Sequence, residues 1–306
     1  MATFIAMTGT TAAPGARLPR IGFALDFIAA FAAYALHRLR KAHVGAVIRV
    51  RRSSDNTELD IGLVDNELDV DALLTFCGAG SGYIVAFYDQ TGNGRTLSSA
   101  GIIANGYTLA VQPRIVNAGV LETIRDRPCI RALGGQLLAA VGPGADFMAM
   151  GGQTSIALVE APGQGGTVRL LAATSSGGTN PHHDPLGMSG GSLYWQYQSI
   201  DVNHTLGLAG VGTSTPHVIT TVDTGTSVKA RLDGEDGTAL ANYARQNTGS
   251  AFNRLCLFGQ WRGGTAGQSM SGNITAKLGA LVILPPAVDA DDYEHIEAGF
   301  LARTIG

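Results

Sequence analysis

Val228-Lys229-Ala230-Arg231-Leu232-Asp233-Gly234-Glu235-Asp236-Gly237 alternates apolar and charged side chains, then runs into two Asp-Gly pairs. A period of two marks a half-buried strand, and Asp-Gly is a strong short-range hairpin signal. The stretch therefore predicts a hairpin between Val228–Leu232 and Thr238–Tyr243. Working outward, Thr154–Glu160, Val168–Ala173, Ser192–Tyr197, His217–Val222, Arg254–Phe258 and Ala276–Leu284 also read as strands, separated by turn residues. Strands at this spacing predict a mainly β chain built as a sandwich or jelly roll. Glycine supplies 42 of 306 residues with no period of three, which suits many tight turns rather than a collagen-like chain.

Nearer the N-terminus, Ile48 and Val50 alternate with Arg49 and Arg51 as in a strand, and Val70, Leu73, Leu74 and Cys77 keep helical spacing over Asp69–Cys77. Tyr83–Tyr88 is a β-rich run that ends in a turn cluster, Asp89–Gly94, with Tyr88 expected to plug the core. Ile21–Leu36 is apolar and follows Arg17 and Arg20, as a targeting signal would. Asp26 interrupts it, however, and it is shorter than the ~20 residues that span a bilayer. The preferred reading is an amphipathic helix capped by Asp26, with Phe27, Phe31, Tyr34 and Leu39 on one face and Arg38, Arg40 and Lys41 at its end. That reading implies no membrane insertion and synthesis without secretion. Pro285-Pro286 ends the last strand, and Asp289 opens a final helix with Tyr293, Ile296, Phe300 and Leu301 as its buried stripe. No linker or repeat divides the chain, so residues 20–306 read as one domain behind a short extension, Met1–Pro19, a candidate docking segment.

A hydrophobic share of 45% with 15% charged residues excludes intrinsic disorder. The formal charge of −3 excludes a polyanion binder held by bulk charge, so nucleic acid is not an expected partner. Cys77, Cys129 and Cys256 form no CxxC pair and are odd in number, which reads as free buried thiols.

Three places carry candidate chemistry. In Asn180-Pro-His-His-Asp-Pro, His182, His183 and Asp184 suggest a metal, but adjacent residues on an extended chain point opposite ways and no HxH or HExxH spacing is present. A polar surface loop is the preferred reading, with neither metal nor cofactor expected. In Tyr194-Trp195-Gln196-Tyr197, Trp195 and Tyr197 share one face of a strand. They and Trp261, followed by Arg262, are either core residues, the default, or flat platforms and donors for a ligand. Asp89 and Asn93 serve the turn in one reading and a ligand in the other. No GxSxG, Walker or dinucleotide motif occurs.

Tyr34-Ala-Leu-His-Arg-Leu39, Ile48-Arg-Val-Arg-Arg-Ser-Ser-Asp55, Asp71-Ala-Leu-Leu-Thr-Phe-Cys77 and Phe87-Tyr-Asp-Gln-Thr-Gly-Asn-Gly94 follow one another in an order that resembles the catalytic domain of family 54 α-L-arabinofuranosidases, especially the related domains of bacteriophage tail proteins. The resemblance is dense over Leu25–Leu97 and returns weakly at Pro285–Gly306. It implies a concanavalin-like β-sandwich (jelly roll), here with an N-terminal and a C-terminal helix, and glycans as the ligand class. It also implies a Glu nucleophile on a mid-domain strand and an acid Asp in a Gly-rich segment after a late strand. Here that late segment looks like Leu257–Gly264 and holds no acid; no Asp or Glu occurs from Gly237 to Val288. The nucleophile stretch falls near Asn180–Gly187, where Asp184 is the one carboxylate, but the flanks differ and the role is not carried over. The adjacent cysteines of the family's pocket are missing. Cys77 matches a family cysteine, yet its partner is replaced by Gly78–Gly82, which fits a reducing cytosol.

The resulting expectation is a bacteriophage virion protein, a tail, fibre or receptor-binding component assembled in the host cytoplasm, with a non-catalytic glycan-binding sandwich. Its candidate ligand residues are Asp89, Asn93, Asp184, Trp195, Tyr197, Trp261 and Arg262, and no residue is assigned catalysis. Expected partners are other virion proteins, further copies of the chain and a host cell-surface glycan. The alternatives are an active α-L-arabinofuranosidase or other glycoside hydrolase, and a capsid-decorating protein without ligand.

Overall fold

The computed structural model describes residues 22–142, 151–164, 166–175, 182–197, 204–209, 212, 214–241, 252–263, 269–286 and 288–304. The Met1–Pro19 extension, Asn180, Tyr243 and Gly264 lie outside them. The chain is mainly β, and its two sheet layers are joined at their edges into one hydrogen-bonded network.

Thr275–Leu284 is the long central strand of the first layer. Its apolar run pairs antiparallel with Gln153–Glu160 on one side and with Ala32–Ala35 and Ile130–Leu133 on the other. The layer continues through His217–Asp223 and Ser227–Leu232 to Glu235–Ala241. The hairpin expected from the Asp-Gly pairs is present, turning at Asp233 and Gly234, both at positive φ as such a turn requires. The second layer runs Leu138–Val141, Arg254–Leu257, Thr167–Thr174, His182–Ser189, Ser192–Tyr197 and His204–Ala209. Between the layers lies the main core, with Ala157, Ile219 and Leu281 from the first meeting Leu171, Leu186, Trp195 and Leu257 from the second.

The C-terminal helix Ala290–Leu301 covers the outer side of the first layer, burying Tyr293, Ile296 and Phe300 against Ile156, Leu158 and Val218. A buried ion pair from Arg231 Nε to Glu297 Oε1, 3.0 Å, ties it to the Ser227–Leu232 strand. The helix Val70–Cys77 is capped by Asp69, whose carboxylate accepts the Ala72 N–H at 2.9 Å. No helix among the described residues is long and apolar enough to cross a membrane.

Three local expectations are corrected. The amphipathic helix over Ile21–Leu36 is not formed. A single 3-10 turn, Ala24–Asp26, is followed by the strand Ala32–Ala35. Asp26 accepts the backbone N–H groups of Phe23 and Lys41 instead of capping a helix. The strand is buried on both faces, with Ala32 and Tyr34 in the main core and Ala33 and Ala35 under the C-terminal helix. A continuous short apolar run of this kind has no period that separates strand from helix. Tyr88 does not plug the core: Phe87 does, while Tyr88 is half-buried with its hydroxyl donating to Asp60. Finally, the His-His-Asp stretch is no surface loop. It begins the strand His182–Ser189, buried throughout except at Ser189.

Candidate functional site

Strand alternation gives the second layer two faces of different chemistry. Leu255, Leu257, Ala173, Leu193 and Trp195 point into the main core. Their neighbours on the outer face are Ala139, Cys256 and Ala172, followed along the sheet by Thr174, Arg254, His182, Asp184, Tyr194 and Gln196. An outer face facing water would be exposed, yet all of these polar side chains are buried.

Part of the cover is the Gln260–Arg262 strand, paired with Ser269–Ser271. It returns over the outer face because Phe258, at φ 71°, and Gly259 reverse the chain directly after Arg254–Leu257. A bulky residue at positive φ is costly and persists where surroundings over-determine it. Here the Phe258 ring is anchored in the main core.

Asp184 is the centre of the face. Oδ1 accepts the Gln260 amide at 2.5 Å, and Oδ2 accepts Arg169 Nε at 2.9 Å and the Tyr194 hydroxyl at 2.8 Å. His182 Nε2 lies 3.6 Å from the same oxygen and bonds Gln196 Oε1 at 3.1 Å. Burial, reinforced by the Asp184 charge, pushes the Tyr194 phenol far above its ordinary pKa, so it is a fixed donor. Gln260 also joins the carboxylate to Arg262: its carbonyl oxygen accepts Arg262 Nε at 2.7 Å. Tyr194 reaches Asp184 across Gly187, its cross-strand partner.

On the other side of Gln260–Arg262, Trp261 packs on Ala172 and Cys256. The Arg254 guanidinium lies over its indole, 3.7 Å from the centroid, and donates to the Trp261 carbonyl at 3.2 Å. Arg254 is only 3% exposed, its Nε has no hydrogen-bond partner, and no carboxylate among the described residues pairs with it. Burial pulls its pKa below the ordinary arginine value.

The seven residues expected to meet a ligand are therefore divided. Asp184, Trp261 and Arg262 come together on the outer face. Trp195 is on the opposite, core-facing side, 1% exposed with the His183 ring edge-on against it. Neither indole offers a flat ring to solvent, which corrects the platform reading: both pack against neighbouring strands. Tyr197 ends its strand, and its side chain lies outside the described residues. Asp89 and Asn93 sit elsewhere and tie their loop to the strand Ala32–Ala35 and the residues before it. Asp89 accepts the N–H groups of Ala33, Thr91 and Arg95, and Asn93 donates to the carbonyls of Ala30 and Phe31. Asn93 also lines a cavity of about 370 Å³ with Asp26, Phe27, Arg40 and Thr91. His182 faces the polar side and His183 the core, where His183 Nδ1 donates to the Gln196 carbonyl at 2.9 Å. Sequence reasoning missed Arg169, Tyr194, Arg254 and Gln260. Lone polar residues within strand patterns were the available signal, and they resemble ordinary solvent-facing positions.

Residues 26–118 match the family model described as alpha-L-arabinofuranosidase B, catalytic. No curated protein sequence matches the chain. Among solved structures, an arabinofuranosidase complexed with arabinofuranosyl-α-1,2-xylobiose is 13% identical with a TM-score of 0.60. A mutant family 54 α-L-arabinofuranosidase soaked with 4-nitrophenyl α-L-arabinofuranoside is likewise 13% identical, with a TM-score of 0.59. Each alignment covers 90% of this chain and 63% of the enzyme, so the chain spans less than two thirds of those proteins. Asp184, Gln260 and their partners all lie outside the matched residues 26–118. The chain thus shares the arabinofuranosidase fold over most of its length and a family 54 sequence pattern over its first third.

Proposed function

We propose that the chain is an arabinofuranosidase-like domain that recognises a glycan at the outer face around Asp184. The observation that carries this reading is the fully buried Asp184 carboxylate held by Arg169, Tyr194 and Gln260. A satisfied, buried polar network away from the apolar core is preorganised to recognise a polar ligand, and it rigidifies the groups around it. Hydroxyl-rich sugars suit such a surface, and the likeness in fold to arabinofuranosidases supports the ligand class.

Hydrolysis is the second reading, favoured by the family match and the shared fold. It needs two carboxyl groups, about 5–5.5 Å apart for retention and about 6.5–9.5 Å for inversion. Asp184 meets an amide, Gln260, in the late segment where the resemblance implies the acid. Asp146 and Asp201 are the carboxylates outside the described residues. Calorimetric titration with arabino-oligosaccharides, alongside nitrophenol release from 4-nitrophenyl α-L-arabinofuranoside, separates the two readings. Binding that weakens in Asp184→Asn without turnover supports recognition alone. Turnover abolished in Asp184→Asn, and in Asp146→Asn or Asp201→Asn, establishes hydrolysis. Neither binding nor turnover overturns both.

On the resemblance of the N-terminal blocks alone, we propose a bacteriophage virion as its location, with other virion proteins and further copies of the chain as partners. Finding the protein by mass spectrometry in purified particles would support this location, and sugar-transport genes beside its own would overturn it.

A further inference from the structure

We infer that the glycan received at this face carries an anionic group, a carboxylate or a sulfate; this rests on the sugar-site reading above. The argument is a charge count among the residues already placed. Arg169, Arg254 and Arg262 bring three guanidinium groups to the outer face and its covering strand, against one carboxylate among the described residues there, Asp184, which is bonded to Arg169. Arg262 bonds only the neutral Gln260, and no carboxylate among the described residues pairs with it. Its pKa is lowered by burial first and then by the nearby positive charge of Arg169, with the Asp184 charge opposing.

Arg254 adds a second, independent observation. A buried charge is ordinarily paired, because desolvation without compensation is expensive. Arg254 is buried with its Nε unpartnered, and the indole N–H of Trp261, the ring it stacks on, is also buried without an acceptor. Both orphans are donors. What they lack is an acceptor, and an oxyanion is the acceptor that also balances the charge. Arg262 is half-buried where Arg254 is buried, so it is open to that group from solvent. A planar guanidinium matches a carboxylate or sulfate through paired N–H donors, which a neutral pentose does not engage in the same way.

The test compares three probes by calorimetric titration of the full chain: an oligogalacturonate, a sulfated oligosaccharide and a neutral arabino-oligosaccharide. The expected result is that one charged probe binds at least about tenfold more tightly than the neutral one and loses affinity as salt rises. Which charged probe does so separates carboxylate from sulfate. Arg262→Gln should lower that affinity about tenfold with the melting temperature retained, and Arg262→Lys should restore part of it. Should Arg262→Gln misfold, the salt dependence of the unaltered protein still decides the matter. Equal or tighter binding of the neutral probe overturns the inference and leaves the sugar site standing. Binding of no probe overturns both.

Discussion

Gly187 leaves the space in which the Tyr194 ring lies: a Cβ at position 187 would come within 2.1 Å of Tyr194 Cε1. The two residues are cross-strand partners, so the ring folds back over its neighbour and delivers its hydroxyl to Asp184. Gly187→Ala must therefore move the ring. The expected cost is about 1–3 kcal/mol of overpacking, with the Tyr194–Asp184 bond broken. Urea denaturation measures the first, and a crystal structure of the variant shows the second. Unchanged stability with Tyr194 in place would contradict the packing described.

Asp184→Asn removes the charge that Arg169 faces and presents an amide to donors already aimed at a carboxylate. Breaking one side of a buried pair in this way costs about 3–5 kcal/mol. The complementary change, Gln260→Glu, sets two carboxyls against each other, so one is held protonated and its folded pKa is raised. A raised carboxyl pKa means stability is present at low pH and lost as pH rises. Melting temperatures should therefore match the unaltered protein near about pH 4, where an ordinary Glu titrates, and fall progressively below it toward neutrality.

His37 supplies a pH dependence of the opposite sign. Burial, aided by the nearby positive charges of Arg303 and Arg127, lowers its pKa from 6.5 to about 3. Unfolded chains then bind a proton that the folded one refuses. This contribution to stability is full above pH 6.5 and is lost as pH falls toward 3, at up to about 1.4 kcal/mol per pH unit. Denaturation midpoints measured between neutral and acid pH should show that loss. His37→Gln should flatten it, and an identical slope in the variant would assign the effect to other groups.

All three thiols should be inert in the native state. Cys77, Cys129 and Cys256 are free and buried. Desolvation raises each pKa, that of Cys256 to about 11, so little thiolate exists at neutral pH. Iodoacetamide at neutral pH is expected to leave the folded protein unmodified and to add three groups after denaturation, read by mass spectrometry. A native adduct at any of the three would show that its surroundings open.

The alternating pattern around Asp233-Gly234 needs only local information, since side-chain direction and turn geometry are set within a few residues. The same holds for Asp69 capping its helix and for the stripe Tyr293, Ile296 and Phe300. Ala32–Ala35 escapes the local pattern for the converse reason: a strand buried on both faces loses its period, and only the partner strand Thr275–Leu284 and the helix beyond it reveal why small residues stand at 33 and 35.

The sequence alone determined most strands of the sandwich, such as Ser227–Leu232 and Thr275–Leu284, the mainly β class, and that no acid stands between Gly237 and Val288. Only tertiary structure decided that Asp184 is a buried, saturated centre rather than a loop residue. Its partners Arg169, Tyr194 and Gln260 come from three other strands, and Gln260 is 76 positions away. Hydrogen bonds between neighbouring strands and to the covering strand depend on register and chain reversal, which arise from packing the whole chain and leave no mark at any one of those residues.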